Sequence, residues 1–166
     1  MDAKPIVIRI GRALREQGLE AVMIGNAAAA VQGAPVTTID IDFFIRKTPA
    51  NITKPKRFAQ SLGAVVFTPF YPMSGLFRLS RDTDALQLDF MTKVDGFPSY
   101  NSVRSHAIAI DVGGEKFLVA NLADIIKSKR AAGRPKDMAV IDDLEATLKE
   151  KEAHPGRDSP GPPERE

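Results

Sequence analysis

A chain of 166 residues with 43% hydrophobic content can bury one core, so a single domain is expected. A formal charge of +2 is too small to argue by itself for a nucleic-acid partner, and the absence of cysteine excludes disulfide staples and thiolate metal sites. Neither of the two histidines, His106 and His154, sits at metal-ligand spacing from another ligand type.

Residues 1–15 carry Lys4, Arg9, Arg12 and Arg15 in an amphipathic pattern with no apolar signal-peptide core, and no run in the chain is long enough to span a bilayer. A cytoplasmic protein is expected. Residues 5–16 read as the first helix, with Ile6, Val7, Ile10 and Leu14 on one side and Gly18 as its stop. Residues 21–24 form a short apolar strand, Gly25-Asn26 a turn, and residues 27–32 an alanine-rich helix stopped by Gly33 and Pro35. A tight turn between strand and helix suits phosphate, since unpaired N–H groups and a positive partial charge meet there and Gly25 lets the backbone approach closely; an ordinary connection is the competing reading.

Residues 37–46, T-T-I-D-I-D-F-F-I-R, read as a strand. Side chains alternate faces along a strand, so Asp40 and Asp42 stand side by side while Ile39, Ile41, Phe43 and Ile45 line the apolar side. Two adjacent carboxylates repel unless a cation sits between them, and hard oxygen ligands converging on one point suit Mg²⁺. Residues 51–62 read as a helix with Ile52, Ala59 and Leu62 inward, followed by strands at 64–68 and 77–80 and a turn at 81–84. The loop at 69–75, P-F-Y-P-M-S-G, offers Phe70 and Tyr71 for stacking on a base or for simple packing. In residues 86–91, L-Q-L-D-F-M, Asp89 takes the polar face of a further strand. Were this strand a neighbour of the first, Asp89 would face Asp40 and Asp42, and three carboxylates can hold two metal ions of the kind that clamp a phosphoryl transfer. The alternative is three solvated aspartates on the exposed side of a half-buried sheet. Residues 107–111 and 116–119 flank V-G-G-E as a β-hairpin.

Asn121 is a good N-cap with Asp124 three residues on, and the apolar stripe begun by Leu122, Ile125 and Ile126 continues onto Lys129. Gly133 and Pro135 interrupt the helix, and the next one carries Asp137, Val140, Ile141, Leu144 and Leu148 on its inward stripe. Lys129 and Asp137 are therefore expected either to pair structurally or to leave Lys129 directed at a nucleotide phosphate. Lys127, Arg130, Arg134 and Lys136 fall on other faces, as a solvated basic surface that with Arg46 and Lys47 could attract a polyanion. Residues 149–166 are charged, Pro-rich and nearly free of apolar residues, so a domain over 1–148 and a disordered tail are expected.

The stretches I-G-N-A-A-A-A-V-Q-G-A-P-V-T-T-I-D-I-D-F-F-I-R, L-Q-L-D-F-M and L-A-D-I-I-K-S-K-R-A-A-G-R-P-K-D-M-A-V-I-D-D-L-E together resemble the minimal nucleotidyltransferase superfamily, with its polymerase β-like fold. Within it they resemble the small proteins related to the AbiEii and MenT type toxin nucleotidyltransferases. The resemblance implies an α/β fold of the α+β kind, a mixed sheet flanked by helices with a C-terminal helical pair. It implies Gly25 at the triphosphate, Asp40, Asp42 and Asp89 as Mg²⁺ or Mn²⁺ ligands, and a lysine and later aspartate where Lys129 and Asp137 stand; beside these, Asn26 is expected to join Gly25 and Lys129 at the nucleotide, with Thr38, Arg46 and Asp137 in supporting positions. The family has Gly-Gly or Gly-Ser at the turn where this chain has Gly25-Asn26. The implied activity is transfer of a nucleoside monophosphate from an NTP to an acceptor, RNA, tRNA or protein, with a cognate antitoxin as partner if the chain is a toxin component. Its rival is a nucleotidyltransferase fold without turnover that binds nucleotide or a partner. A TOPRIM-type site also uses Asp-x-Asp but wants a glutamate at the end of an earlier strand, and residues 21–26 offer none; sugar-nucleotide glycosyltransferase domains are usually much longer.

Overall fold

The computed structural model describes residues 4–37, 40–62, 65–67, 76–81 and 86–154. Seven strands form one mixed sheet: β1 (Ala21–Ile24), β2 (Asp40–Ile45), β3 (Val65–Phe67), β4 (Leu76–Arg81), β5 (Leu86–Met91), β6 (Ile108–Val112) and β7 (Glu115–Val119), in the order β3-β4-β5-β2-β1-β7-β6. The pairs β1–β2, β3–β4, β4–β5 and β6–β7 are antiparallel, and β2–β5 and β1–β7 are parallel. The α/β architecture with a mixed sheet and a C-terminal helical pair is the one expected.

Alternation along β2 and β5 divides the sheet into two unlike faces. Phe43 stacks on Phe90 with ring centroids 5.4 Å apart, and the edge of Phe58 meets Phe90 at 5.2 Å, so one face is an aromatic core. Helices α1 (Lys4–Gln17) and α4 (Lys54–Ser61) cover it. Gly11 belongs there because a Cβ at that position would stand 2.7 Å from Cζ of Phe117. The opposite face carries α2 (Gly25–Val31), α5 (Tyr100–His106) and α6 (Leu122–Ala132), with α7 (Pro135–Ala153) packed on α6. On this side Phe44 meets Phe97 and Tyr100 at 5.6 and 5.7 Å.

The expected helix over residues 51–62 is two helices, α3 (Pro49–Ile52) and α4, separated at Thr53. Its inward residue is not Ile52, which is exposed, but Asn51, which is 1% exposed. The polar side chain is accepted there because it is fully used. Asn51 Nδ2 donates to the carbonyls of Glu20 and Arg46 at 3.2 and 2.8 Å, and its Oδ1 accepts from the Glu20 N–H at 3.0 Å. It thus ties the start of β1 to the end of β2. Asn51→Ala removes all three bonds and leaves the Glu20 N–H without its partner, while the Glu20 and Arg46 carbonyls keep the N–H groups of Arg46 and Thr48; a loss of about 1–3 kcal/mol is expected in urea denaturation, and one below about 0.5 kcal/mol would mean that water replaces the amide.

At the C-terminal end, Asn121 Oδ1 accepts from the Asp124 N–H at 2.8 Å and Gly133 closes α6 with φ +64°. Pro135 opens α7, which continues to Ala153, past the expected start of the tail at 149. Lys151 within that extension donates to Gln32 Oε1 at 3.0 Å, so this last turn is held to the domain. Residues 155–166 lie outside the described residues.

Candidate active site

The parallel pairing of β2 with β5 sets Asp42 directly opposite Asp89, and both point away from the Phe43–Phe90 stack. Asp40 follows on the same side of β2. Antiparallel β1 places Ile24 opposite Asp42, so the chain leaves β1 immediately above the carboxylate. The expected turn at Gly25-Asn26 is already the first turn of α2, and Gly25 has φ +68°. A Cβ at this position would sit 3.1 Å from Oδ2 of Asp42, so both backbone conformation and space call for glycine. Asn26 beside it keeps Oδ1 buried without a hydrogen-bond partner.

These residues form part of the lining of a cleft of about 550 Å³. Gly25, Asn26, Asp40 and Asp42 form its carboxylate end. Lys129 of α6 with Arg134 and Lys136 from the start of α7 supply its cationic wall, in which Asp137 and Asp95 are counter-charges, and Met91, Val94, Phe97 and Ile125 are its apolar part. The segment carrying Val94 and Phe97 is pressed on α6: a Cβ at Gly96 would stand 2.8 Å from Cα of Ser128 and 2.9 Å from the Lys127 carbonyl oxygen. That docking fixes the apolar wall.

Charge is balanced unevenly across the cleft. The Asp42 carboxyl is pushed up to about 6, by burial first and then by the negative charges of Asp89 and Asp40, with Lys129 and Lys136 opposing. Asp137 is 3% exposed and faces two cations. Arg134 donates to it through Nε and Nη2 at 2.6 and 3.3 Å, while Lys129 Nζ stands 3.6 Å away. Burial works to raise the Asp137 carboxyl, and the hydrogen bonds of Arg134, with the positive charges of Arg134 and Lys129, outweigh it and hold it below the ordinary value. Lys129, 9% exposed, is lowered by burial, with Asp137 and then Asp42 opposing.

The structure therefore brings Gly25, Asn26, Asp40, Asp42, Lys129 and Asp137 to one cleft. Asp89 adjoins it through Asp42 but is itself 7% exposed and not among the lining residues. Arg46 is not brought there: at the far end of β2 it pairs with Glu20 at 3.0 Å and lies 4.7 Å over the Tyr100 ring. Thr38, Phe70 and Tyr71 lie outside the described residues. Arg134 and Lys136 are exposed, as expected, and also line the cleft, together with Lys93. Arg134 had a signal in the sequence, because it precedes Asp137 by three residues at a helix start, where a cation and a carboxylate meet. Lys93 had none.

Among the described residues, no three His, Asp or Glu side chains converge closely enough to hold a metal unaided. The donor set nonetheless fits Mg²⁺, which takes one or two protein carboxylates and fills its remaining positions with water and substrate phosphate. Asp40 and Asp42 offer the carboxylates at the cleft, where burial and then the neighbouring charges of Asp89 and Asp40 disfavour the Asp42 anion.

A mixed sheet with an aspartate pair under a glycine at the first strand-to-helix junction is what the resemblance to the nucleotidyltransferase superfamily implies. The chain belongs to the family described as nucleotidyl transferase of unknown function (DUF2204), which it matches over residues 3–155. No curated protein matches it in sequence. In structure it is similar to an antigenic nucleotidyltransferase-like protein from Paracoccidioides brasiliensis, with 16% identity and a TM-score of 0.59 over 88% of this chain and 75% of that one. It is also similar to ANT(2")-Ia in complex with adenylyl-2"-tobramycin, at 15% identity, a TM-score of 0.62 and 90% and 91% coverage. A third similar structure is the lincomycin-bound lincosamide antibiotic adenylyltransferase LnuA, at 10% identity, a TM-score of 0.61 and 89% and 98% coverage. At these identities the likeness is one of fold. Among the described residues no helix is long and apolar enough to cross a membrane.

Proposed function

We propose that the chain is a Mg²⁺-dependent nucleotidyltransferase that moves a nucleoside monophosphate from an NTP to an acceptor hydroxyl and releases pyrophosphate. The observation that carries this reading is the division of one cleft into a carboxylate end, Asp40 and Asp42, and a cationic wall, Lys129, Arg134 and Lys136. A metal-bound triphosphate needs both. Mg²⁺ bound at Asp40 and Asp42 would neutralise charge on the phosphates and the attacking oxygen. Gly25, with no side chain between backbone and Asp42, leaves room for a phosphate, and the Asn26 amide borders the same space. Lys129 faces the negative charge of the triphosphate, and Met91, Val94 and Phe97 offer apolar surface to the base.

In the transfer, the acceptor oxygen bonds to the α-phosphorus as the bond to the bridging oxygen breaks, and pyrophosphate leaves with that electron pair. Asp89, opposite Asp42 in the sheet, supports it at the metal and helps to activate the hydroxyl through Asp42, which takes the proton at the cleft in this reading. Lys93, Arg134 and Lys136 are exposed at the mouth, which suits a polyanionic acceptor, and we propose an RNA hydroxyl, tRNA included. Such an activity would suit a toxin held in check by an antitoxin. Protein and small-molecule hydroxyls are the other acceptors to be tested.

The test incubates the purified chain with each α-labelled NTP, total RNA and Mg²⁺. Label is expected to enter RNA, and Asp89→Asn is expected to stop transfer while NTP affinity stays within about threefold, because a group serving the transition state adds little to ground-state binding. A folded, NTP-binding sample that labels no RNA, protein or small molecule would establish the rival reading, a nucleotide-binding module.

A further inference from the structure

The two cations around Asp137 are unequally held. Arg134 makes two hydrogen bonds to the carboxylate and is itself exposed, whereas Lys129 is buried and stands at 3.6 Å, longer than a hydrogen bond. A buried carboxylate strongly resists losing its last counter-charge. Because Arg134 already provides one, Lys129 can turn its ammonium to an anion in the cleft without stranding Asp137.

We infer that Arg134 is a positioning residue for Lys129: by satisfying Asp137 it releases the Lys129 ammonium to the substrate's triphosphate. The inference rests on the proposed nucleotide site and assigns within it a role to a residue on the cleft rim. Without Arg134, the ammonium of Lys129 becomes the nearest charge left to Asp137, and offering it to phosphate exposes the full cost of an unpaired buried carboxylate. Arg134 then acts on affinity through Asp137 and Lys129 rather than by touching phosphate.

That distinction gives a suppressor test. Binding of ATP with Mg²⁺, and of inorganic tripolyphosphate, is measured by calorimetry for the wild-type chain, Arg134→Gln, Arg134→Lys, Asp137→Asn and the double variant Arg134→Gln with Asp137→Asn. Arg134→Gln is expected to weaken both ligands about tenfold or more, and Arg134→Lys, which keeps a cation beside Asp137, by no more than about threefold. The double variant is expected to recover affinity to within about threefold of wild type, since asparagine has no charge to reclaim Lys129. Circular dichroism of each variant establishes that it is folded; should Arg134→Gln fail to fold alone, the double variant is compared with Asp137→Asn, and a further loss of about tenfold or more on adding Arg134→Gln there, where no charge can reclaim Lys129, overturns the inference. Where it folds, three results overturn the inference: unchanged affinity in Arg134→Gln, a double variant as weak as Arg134→Gln, or an Arg134→Lys variant as weak as Arg134→Gln. A wild-type chain that binds neither ATP nor tripolyphosphate would remove the proposed function together with it, which separates the two failures.

Discussion

Asp42→Asn is expected to abolish Mg²⁺-dependent transfer, by at least about a hundredfold, and at the same time to raise the melting temperature of the metal-free chain. The two effects share one cause. Asp42 is buried beside Asp89 and Asp40, so its carboxyl lies at about 6 in the fold, above the value of about 3.9 for an unfolded aspartate. The native state then holds more protons than the unfolded state between about pH 4 and pH 6, and stability falls as pH rises through that window. The penalty is complete above about pH 7 and amounts to no more than about 3 kcal/mol. Removing the charge should therefore stabilise the chain most at pH 7 and above, with the gain shrinking to nothing near pH 4. Thermal denaturation of both proteins at pH 4 and pH 7.5 checks this, and a lower melting temperature for the variant at pH 7.5 would make Asp42 a structural residue.

The second expected result is an asymmetry between the partners of one ion pair. Asp137→Leu leaves the nearly buried Lys129 ammonium without its closest carboxylate, and a loss of about 3–5 kcal/mol is expected. Lys129→Met leaves Asp137 with both of its bonds from Arg134, so the stability change should stay within about 1 kcal/mol while ATP affinity falls about tenfold or more. Urea denaturation and calorimetry on the two variants provide the comparison. Equal losses of stability would mean that Arg134 does not protect the carboxylate.

Much of the site is legible in the sequence because strand alternation is a local rule. The D-I-D and L-Q-L-D-F-M patterns place their carboxylates on polar faces whatever the strands pair with, and the parallel register of β2 with β5 then sets Asp42 opposite Asp89. Helix stops are equally local, and Asn121, Gly133 and Pro135 bound α6 and α7 where their chemistry requires. Properties that depend on tertiary placement are less visible. Arg46 directly follows the strand of the aspartates, but strand direction carries it to the opposite end, where Glu20 and Tyr100 receive it. Asn51 displaces Ile52 from the interior because two backbone segments, not adjacent in sequence, need its amide. Helix α5 has no apolar stripe to announce it, since it buries only Tyr100 and Val103, although Ser99 caps it by accepting from the Ser102 N–H. Arg134 and Lys136 line the cleft because the chain, stopped at Gly133, starts α7 beside Lys129, a placement that no periodicity encodes.

The parallel β2–β5 pair also bears on the order in which the molecule is assembled. Lys129, Arg134 and Asp137 lie within one helical hairpin, so their association closes only a short loop. Asp42 and Asp89 meet only after the intervening α3, α4, β3 and β4 have been threaded past, a closure of much higher contact order. On the way to the native state the cationic wall can therefore exist before the carboxylates are brought together. The repulsion between Asp42 and Asp89 thus enters with a long-range pairing of the sheet, exceeded in sequence separation by that of β1 with β7, and not with the local hairpin that builds the cationic wall.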